Sequence, residues 1–360
     1  MYILSEQNLA AYIRENLLAE MGLAPHTDIT NIAAAGGGLV SAVFKAGVGD
    51  QTLYFKQAIP GRLDGVRELV GDTVPEDAFV VYYDDRQLAE VKALRIVKQA
   101  VATYFVPTVY RHDVANNILV MSEVCEGHGV VLADVMNHEI HAGHAGILGE
   151  NLARIANHTY GKCEQLRDPQ LEAKLRQVKY RYEVRDVWDN IVPPELKSRV
   201  IEKVSAWVSV SAAMNSVLVH GDCHDRNIIV CADRCGTYDL EESHWGDPIE
   251  DIGKLATSYI LRMIYFDHMR PKAYDAVVRL MDAYFENLTI PESRESLENR
   301  MRIMVAGCLL MRVDGISSMW LDWVHDEPKK EKTRELAVKL VLGDEQYSLA
   351  DLIRQTFPEL

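Results

Sequence analysis

The spacing of apolar positions divides the chain into a β-rich beginning and a helical remainder. Strand-like alternation on both sides of the turn Gly47–Asp50 predicts a hairpin over residues 29–57. A second hairpin is predicted over 107–127, where Asn116 and Asn117 separate two apolar runs. Between these hairpins the apolar positions follow helical spacing: Leu88, Val91, Leu94, Ile96 and Val97.

A short helix is predicted to precede the first hairpin. Ser5 is suited to be its N-cap, because a serine side chain can accept a hydrogen bond from a free N–H group of the first turn. Leu9, Tyr12 and Ile13 would then share one buried face of this helix.

Beyond residue 129 the pattern takes a helical period, and only residues 217–240 interrupt it with strand-like alternation. Helices are predicted over 144–163, 193–214, 250–266, 272–288, 298–321 and 329–342. We therefore predict an α+β fold with two lobes, a small β-rich lobe over 1–126 and a larger, mainly helical lobe over 127–360. Ligand sites favour the cleft that such an arrangement creates.

Composition and charge narrow the class of protein. The chain has 360 residues, of which 48% are hydrophobic and 25% charged, as is typical of a globular protein. A net charge of −15 argues against nucleic-acid binding, and no apolar run approaches the ~20 residues that span a membrane. Without a signal-peptide pattern, we expect a cytoplasmic protein whose six cysteines are reduced.

The stretch VHGDCHDRNIIV, residues 219–230, places many polar side chains between apolar anchors. Asp222 and Asn227 share its loop, and Asp239 ends the next predicted strand. Asn227 and Asp239 offer the hard oxygen ligands that Mg²⁺ prefers, which leaves Asp222 to accept the proton of an attacking hydroxyl. Kinase-type phosphoryl transfer divides the work in this way. The alternative is that these side chains only cap turns.

The segments HGDCHDRN and YDLEESHWGDPIEDIGKL resemble the catalytic segment of the aminoglycoside phosphotransferase and choline kinase superfamily, which has a protein-kinase-like fold. The resemblance implies that Asp222 is the catalytic base and that Asn227 and Asp239 bind Mg²⁺. It also implies that His220 and Asp251 brace the loop by hydrogen bonds. ATP and a small molecule with a hydroxyl group would be the substrates.

Further nucleotide-binding residues are predicted in the first lobe. Lys56 lies on a predicted strand, and Glu90 on the following helix matches the acidic partner of the lysine that contacts the nucleotide phosphates. Three glycines fit the hairpin that covers the phosphates, because their backbone can approach closely: Gly36, Gly37 and Gly38. The backbone around the inter-lobe hinge is predicted to bond the adenine edge: Glu123, Val124 and Cys125.

The acceptor remains open between several small molecules. The small lobe and the segment AGCLLMRVDGISSMWLDWVHDEP are similar to S-methyl-5-thioribose kinases, which implies a thioribose-like sugar and a homodimer. The acidic residues near Glu241 would instead suit a cationic aminoglycoside, choline or another amino alcohol. A non-catalytic nucleotide-binding protein is the remaining alternative. Four residues are candidates for contacts with the acceptor: Glu241, His244, Trp245 and Arg312.

Overall fold

The strands of the first lobe form one antiparallel sheet, in the order β1–β2–β3–β5–β4, in the computed structural model of the chain. The structure describes residues 2–35, 41–58, 86–101, 106–125, 128–188, 191–232, 234–315, 317–318 and 321–360, and of Tyr182 only the backbone. The strands are β1 Ile29–Ala34, β2 Ser41–Val48, β3 Gln51–Ala58, β4 Val109–Asp113 and β5 Ile118–Ser122.

Both predicted hairpins of the first lobe are confirmed. In the β2–β3 hairpin, Val48 pairs with Gln51, so the turn has only two residues, and Gly49 adopts a φ of +58° there. Such a tight turn requires left-handed backbone, which glycine adopts without steric cost. Between β4 and β5, Asn117 adopts this left-handed conformation, with a φ of +52°. Asparagine tolerates it better than most residues with a Cβ.

The N-terminal helix α1, Leu9–Asn16, packs on the outer face of this sheet. The prediction that Leu9, Tyr12 and Ile13 form its buried face is confirmed. The prediction that Ser5 is its N-cap is wrong, because the N-cap is Asn8. A turn precedes the helix, and within it the N–H of Ser5 donates to Asn8 Oδ1 at 2.8 Å.

The helix between the hairpins, α2 Arg86–Ala100, joins the two lobes through a shared apolar cluster. Its buried positions include Ala89, Glu90, Val91, Ala93, Leu94 and Val97, and they pack with second-lobe side chains such as Leu240 and Trp245. The predicted face is partly wrong, because Leu88 is 38% exposed. The small side chains of Ala89 and Ala93 take its place and let the helix approach its neighbours closely.

The second lobe is mainly helical, as predicted, so the α+β fold class is confirmed. Its helices are α3 Leu132–Met136, α4 Ala142–Thr159, α5 Pro169–Lys179, α6 Pro194–Ser211, α7 Ile249–Tyr265, α8 Arg270–Asn287, α9 Arg294–Val313, α10 Glu327–Leu342 and α11 Leu349–Thr356. Within the described ranges, none of the helices combines the length and the apolarity needed to cross a bilayer.

Short strands of the second lobe hold the polar loop singled out in the sequence. They are β6 Val130–Val131, β7 Val217–Val219, β8 Ile228–Cys231, β9 Arg234–Thr237 and β10 His244–Gly246. β7 pairs with β10, and β8 pairs with both β6 and β9. Because β6 and β10 lie outside 217–240, the prediction of a single strand-like interruption is wrong. Runs of two or three residues are too short to show alternation.

Helices α5 and α11 were not predicted. The buried positions of α5 include Glu172, Arg176 and Lys179, so hydrophobic spacing does not reveal it, although Asp168 accepts from two N–H groups of its first turn. A π-helix, Tyr180–Arg185, continues α5 and presses Val184 against Gly307 of α9, where a Cβ would lie 2.5 Å from Val184 Cγ1. In α11 a capping box at Ser348 was the available signal.

A buried ion pair fastens α9 to the segment before α7. Asp247 is completely buried and accepts from Arg300 Nε at 2.8 Å and from Ser211 Oγ at 2.7 Å. The same guanidinium donates from Nη2 to Glu292 Oε2 at 3.0 Å. Breaking a buried pair leaves an uncompensated charge. We therefore expect Arg300→Met to lower the free energy of unfolding by about 3–5 kcal/mol, measured by urea denaturation.

Arg294→Met is the matched control for this change. Arg294 lies on the same helix, but it is exposed and its Nη2 reaches Asp282 Oδ1 at only 3.4 Å. Exposed pairs contribute about 0–1 kcal/mol. Equal losses of stability in the two variants would contradict the importance of the buried pair.

Candidate active site

The loop between β7 and β8 is braced by the first turn of α7. Asp251 accepts the N–H of His220 at Oδ2, at 2.7 Å, and the N–H of Gly221 at Oδ1, at 3.2 Å. The His220 ring in turn contacts Thr237 Oγ1 through Nε2 at 2.9 Å. These are contacts of the kind predicted for His220 and Asp251, and they fix the start of the loop.

Position 221, which follows His220, accepts only glycine. Its φ is +81°, and a Cβ would lie 2.3 Å from the carbonyl oxygen of Glu242. The Gly221 carbonyl accepts hydrogen bonds from two buried ammonium groups, Lys179 at 2.6 Å and Lys254. The N–H and the carbonyl of Gly221 are therefore both held, immediately before Asp222.

Asp222 is half-buried and lies beside Asn227, as the sequence predicted. Asn227 Nδ2 donates to Asp222 Oδ2 at 3.2 Å and to the Asp222 carbonyl at 3.0 Å. Removal from water would raise the pKa of Asp222, but His224 at 3.3 Å and the two lysines hold this pKa well below its usual range. The carboxylate is therefore ionised at neutral pH and available as a proton acceptor.

A second group of charged residues surrounds Lys56 at the junction of the lobes. Along β3, Leu53 and Phe55 face α1, so the alternation of the strand turns Lys56 towards α2. There its Nζ lies 2.8 Å from Glu90 Oε2 and 2.8 Å from Glu241 Oε2, and it also contacts Asp239. The predicted pair of Lys56 and Glu90 is therefore formed in the structure.

The charges in this group are strongly coupled. Burial acts to lower the pKa of Lys56, but the three carboxylates raise it well above its usual value. Glu90 is 1% exposed, and burial together with Asp239 and Glu241 raises its pKa to about 7, although Lys56 opposes the rise. The ammonium group of Lys56 thus stabilises three closely spaced carboxylates.

These acids have the chemistry of a divalent-cation site. Carboxylate oxygens of Glu90, Asp239 and Glu241 all lie within 4.8 Å of one another. Oxygen ligands at this spacing suit Mg²⁺, which is usually held by one or two carboxylates and by substrate phosphates. Asp239 also adopts left-handed backbone, with a φ of +64°. Such a conformation in a residue other than glycine often marks a functional position.

A cavity of about 160 Å³ opens beside Asp222 within the second lobe. Arg312, a predicted acceptor contact, lines it, and so does Glu242. His244 and Trp245 do not line it among the described residues: they are 0% and 1% exposed, and Trp245 packs in the apolar cluster that joins the lobes. Glu241 points away to Lys56. Of the predicted acceptor contacts, Arg312 is therefore the one beside Asp222.

Several residues of the site were missed in the sequence. Glu183 of the π-helix lines the cavity, together with Lys254 and Arg262 of α7. Two cations eight residues apart in a mostly apolar helix were an available signal. Nothing in the sequence marks Glu183, because its helix lacks an apolar period.

The hinge region contains a cross-link that was not expected. Cys125, with a φ of +62°, forms a disulfide with Cys231 at the end of β8, and their Cα atoms are 6.3 Å apart. The expectation that all six cysteines are reduced is therefore wrong for this pair, which the fold brings together across 106 positions. The four free cysteines are Cys163, Cys223, Cys235 and Cys308.

The predicted contacts of the hinge backbone and of the three glycines with the nucleotide stay predictions. Within the hinge, Glu123 N–H donates to Thr52 O at 3.3 Å, and the Cys125 carbonyl accepts from His128 N–H at 3.1 Å. Val124 is half-buried between them. The glycines Gly36–Gly38 lie outside the described residues.

Comparison with known proteins agrees with this arrangement. The phosphotransferase enzyme family matches residues 32–283 of the chain. No curated protein sequence matches it.

Solved structures share the fold at low sequence identity. A choline/ethanolamine kinase family protein from Mesorhizobium loti is 19% identical, with 98% of this chain and 100% of that chain covered and a TM-score of 0.55. An ethanolamine kinase from Plasmodium vivax is 14% identical, covering 93% and 89%, with a TM-score of 0.51. An aminoglycoside phosphotransferase in a ternary complex with ADP and hygromycin B is 13% identical, covering 92% and 100%, with a TM-score of 0.50.

Proposed function

Because the chain belongs to the phosphotransferase enzyme family, we propose that it transfers the γ-phosphoryl group of ATP, in the presence of Mg²⁺, to a hydroxyl group of a small molecule. One observation carries the proposal: Asp222 lines a cavity and accepts from Asn227, whose carbonyl accepts the N–H of Tyr238, the neighbour of Asp239, at 3.2 Å. Asp239 in turn contacts the buried Lys56. Nucleotide-binding and acceptor-binding groups would therefore meet at Asp222.

Lys56 is proposed to contact the nucleotide phosphates. Its ammonium group is held by Glu90 at 2.8 Å, so its position does not depend on the substrate. Phosphate oxygens would compete with Asp239 and Glu241 for this cation. The ADP bound in the related aminoglycoside phosphotransferase is consistent with nucleotide use by this fold.

Asp239 and Asn227 are the proposed Mg²⁺ ligands, and Glu241, whose carboxylate lies near that of Asp239, would add a third oxygen. When bound, the ion neutralises charge on the phosphate oxygens. Asn227 Nδ2 also donates to Asp222 Oδ2, so the same side chain orients the base. Asp222 would align the acceptor hydroxyl and take its proton, and this assistance is worth about 10²–10⁴-fold in rate.

The charge around the cavity supports a neutral or acidic acceptor over a cationic one. The acidic residues that line the cavity beside Asp222 already have protein partners: Glu183 with Lys254, Asp225 with Arg262, and Glu242 with Lys179. Within the described part of the chain, Arg312 has no carboxylate at ion-pair distance, and it lines the cavity. We propose a thioribose-like sugar as the acceptor, and consider an aminoglycoside or amino alcohol the alternative.

An acceptor panel tests this proposal. The purified chain is mixed with Mg²⁺ and ATP, and ADP release is measured with methylthioribose, ribose, homoserine, choline or kanamycin. We expect release to depend on a sugar acceptor. Release with choline or kanamycin alone would replace the sugar by the cationic alternative. Absence of nucleotide-dependent thermal stabilisation and of ADP release with every acceptor would contradict the kinase function itself.

Arg312→Met tests the cavity as the acceptor site. A hydrogen bond to a charged group contributes about 1.5–3 kcal/mol, so we expect the KM for the acceptor to rise about 10- to 100-fold. The KM for ATP should stay unchanged. Arg294→Met, on an exposed part of the same helix, is the control and should leave both constants unchanged. An unchanged acceptor KM in the Arg312 variant would move the acceptor away from this cavity.

A further inference from the structure

Two buried ammonium groups meet at a single backbone carbonyl beneath the proposed base. Lys179, the last residue of α5, and Lys254 of α7 both donate to the carbonyl oxygen of Gly221. They are 3% and 7% exposed. Lysine is almost never fully buried unless it is paired. Two ammonium groups buried beside one carbonyl oxygen therefore need carboxylates that offset their loss of hydration.

Three carboxylates provide that compensation. Lys254 Nζ lies 2.8 Å from Glu183 Oε2 and 3.2 Å from Glu250 Oε1. Lys179 contacts Glu242. Burial acts to lower the pKa of both lysines, but these carboxylates raise it, so both ammonium groups stay charged.

The geometry fixes the orientation of the peptide that leads into Asp222. The N–H of Gly221 is held by Asp251 at 3.2 Å, while its carbonyl is held by the two lysines. The peptide cannot shift towards Glu242, whose carbonyl already crowds the Gly221 Cα. Rotation of the peptide plane between Gly221 and Asp222 would therefore break the hydrogen bonds from the two lysines.

We propose that Lys254 and Lys179 are positioning residues for phosphoryl transfer, which hold the Gly221 carbonyl so that Asp222 faces the acceptor cavity. This inference rests on the proposed function of Asp222. Neither lysine needs to touch the reacting atoms. Through Glu183, which lines the same cavity, Lys254 also links the wall of the acceptor site to the base.

Lys254→Met tests the proposal by its steady-state kinetics. We expect kcat to fall about 10- to 100-fold, as for a lost charge-assisted hydrogen bond. The KM for ATP should stay unchanged, which separates loss of positioning from loss of nucleotide binding. Lys254→Arg keeps the charge but not the position of the donor, so its kcat should fall as well.

Lys329→Met is the matched control. Lys329 also donates to a backbone carbonyl, that of Tyr265 at 2.6 Å, but it lies far along the chain from the loop of Asp222. Its kcat should be unchanged. Lys179→Met provides a second removal of a donor, and stabilisation by ATP reports whether each variant is folded.

Two results would overturn the proposal. The first is wild-type kcat in both Lys254→Met and Lys179→Met, and the second is a fall in kcat of equal size in Lys329→Met. Failure of the proposed function is recognised separately, because Asp222→Asn would then retain turnover. If Asp222→Asn is inactive and the lysine variants are not impaired, only the positioning role is wrong.

Discussion

Asp222→Asn is expected to lower kcat by about 10²–10⁴-fold while ATP still stabilises the protein. The carboxylate lines the proposed acceptor cavity, and the lysines and His224 keep it ionised, so its amide counterpart would lose the proposed proton acceptor and little else. The side chain is nearly isosteric. Single-turnover measurements with the acceptor found in the panel, together with thermal shifts with Mg²⁺ and ATP, separate chemistry from binding.

The control for this prediction is Asp282→Asn. Asp282 lies on α8 with its side chain 42% exposed, paired at 3.4 Å with the exposed Arg294, and its loss should leave kcat unchanged. If Asp222→Asn lost nucleotide binding but kept turnover, Asp222 would belong to the nucleotide site and the base would have to be sought elsewhere.

Lys56→Met is expected to reduce both stability and activity. It leaves Glu90, Asp239 and Glu241 without the cation that all three contact. Because breaking a buried ion pair costs about 3–5 kcal/mol, the free energy of unfolding should fall by that amount. The KM for ATP should rise, because the phosphates lose their cation. Urea denaturation and steady-state kinetics measure the two effects separately.

A double variant separates the effect of Lys56 on stability from its effect on activity. In Lys56→Met/Glu90→Gln the buried acid that depends most on the lysine is also neutralised, and Glu90 is only 1% exposed. We expect much of the lost stability to return, because replacing both partners of a buried pair is often nearly neutral. Activity should stay low. Recovery of activity together with stability would show that Lys56 is structural rather than part of the nucleotide site.

The parts of the site that the sequence predicted are those carried by short, regular segments. Lys56 and Glu90 lie on a strand and a helix whose periods are evident, so their buried faces and their meeting could be expected. Asp222 and Asn227 lie in one loop, where five positions of separation bring the side chains together. In each case local geometry decides the contact.

The parts that were missed depend on contacts between distant segments. Lys179 and Lys254 meet at Gly221 only because α5 and α7 converge there, and the buried face of α5 is too charged to show an apolar stripe. His244 was expected to contact the acceptor because it closely follows Asp239, the predicted Mg²⁺ ligand, in the chain. Instead β10 pairs with β7 and turns it inward, towards Glu250 at 3.1 Å.

The π-helix Tyr180–Arg185 makes the proposed acceptor cavity depend on helical winding as well as on side-chain chemistry. A π-helical turn accommodates an extra residue within a helix that would otherwise be α-helical. Conversion of this turn to ordinary winding at constant length would rotate the residues that follow by about 100°. Glu183 would leave the cavity wall and Val184 would no longer pack on Gly307. Such a change would reshape the cavity without altering Lys56 or Glu90.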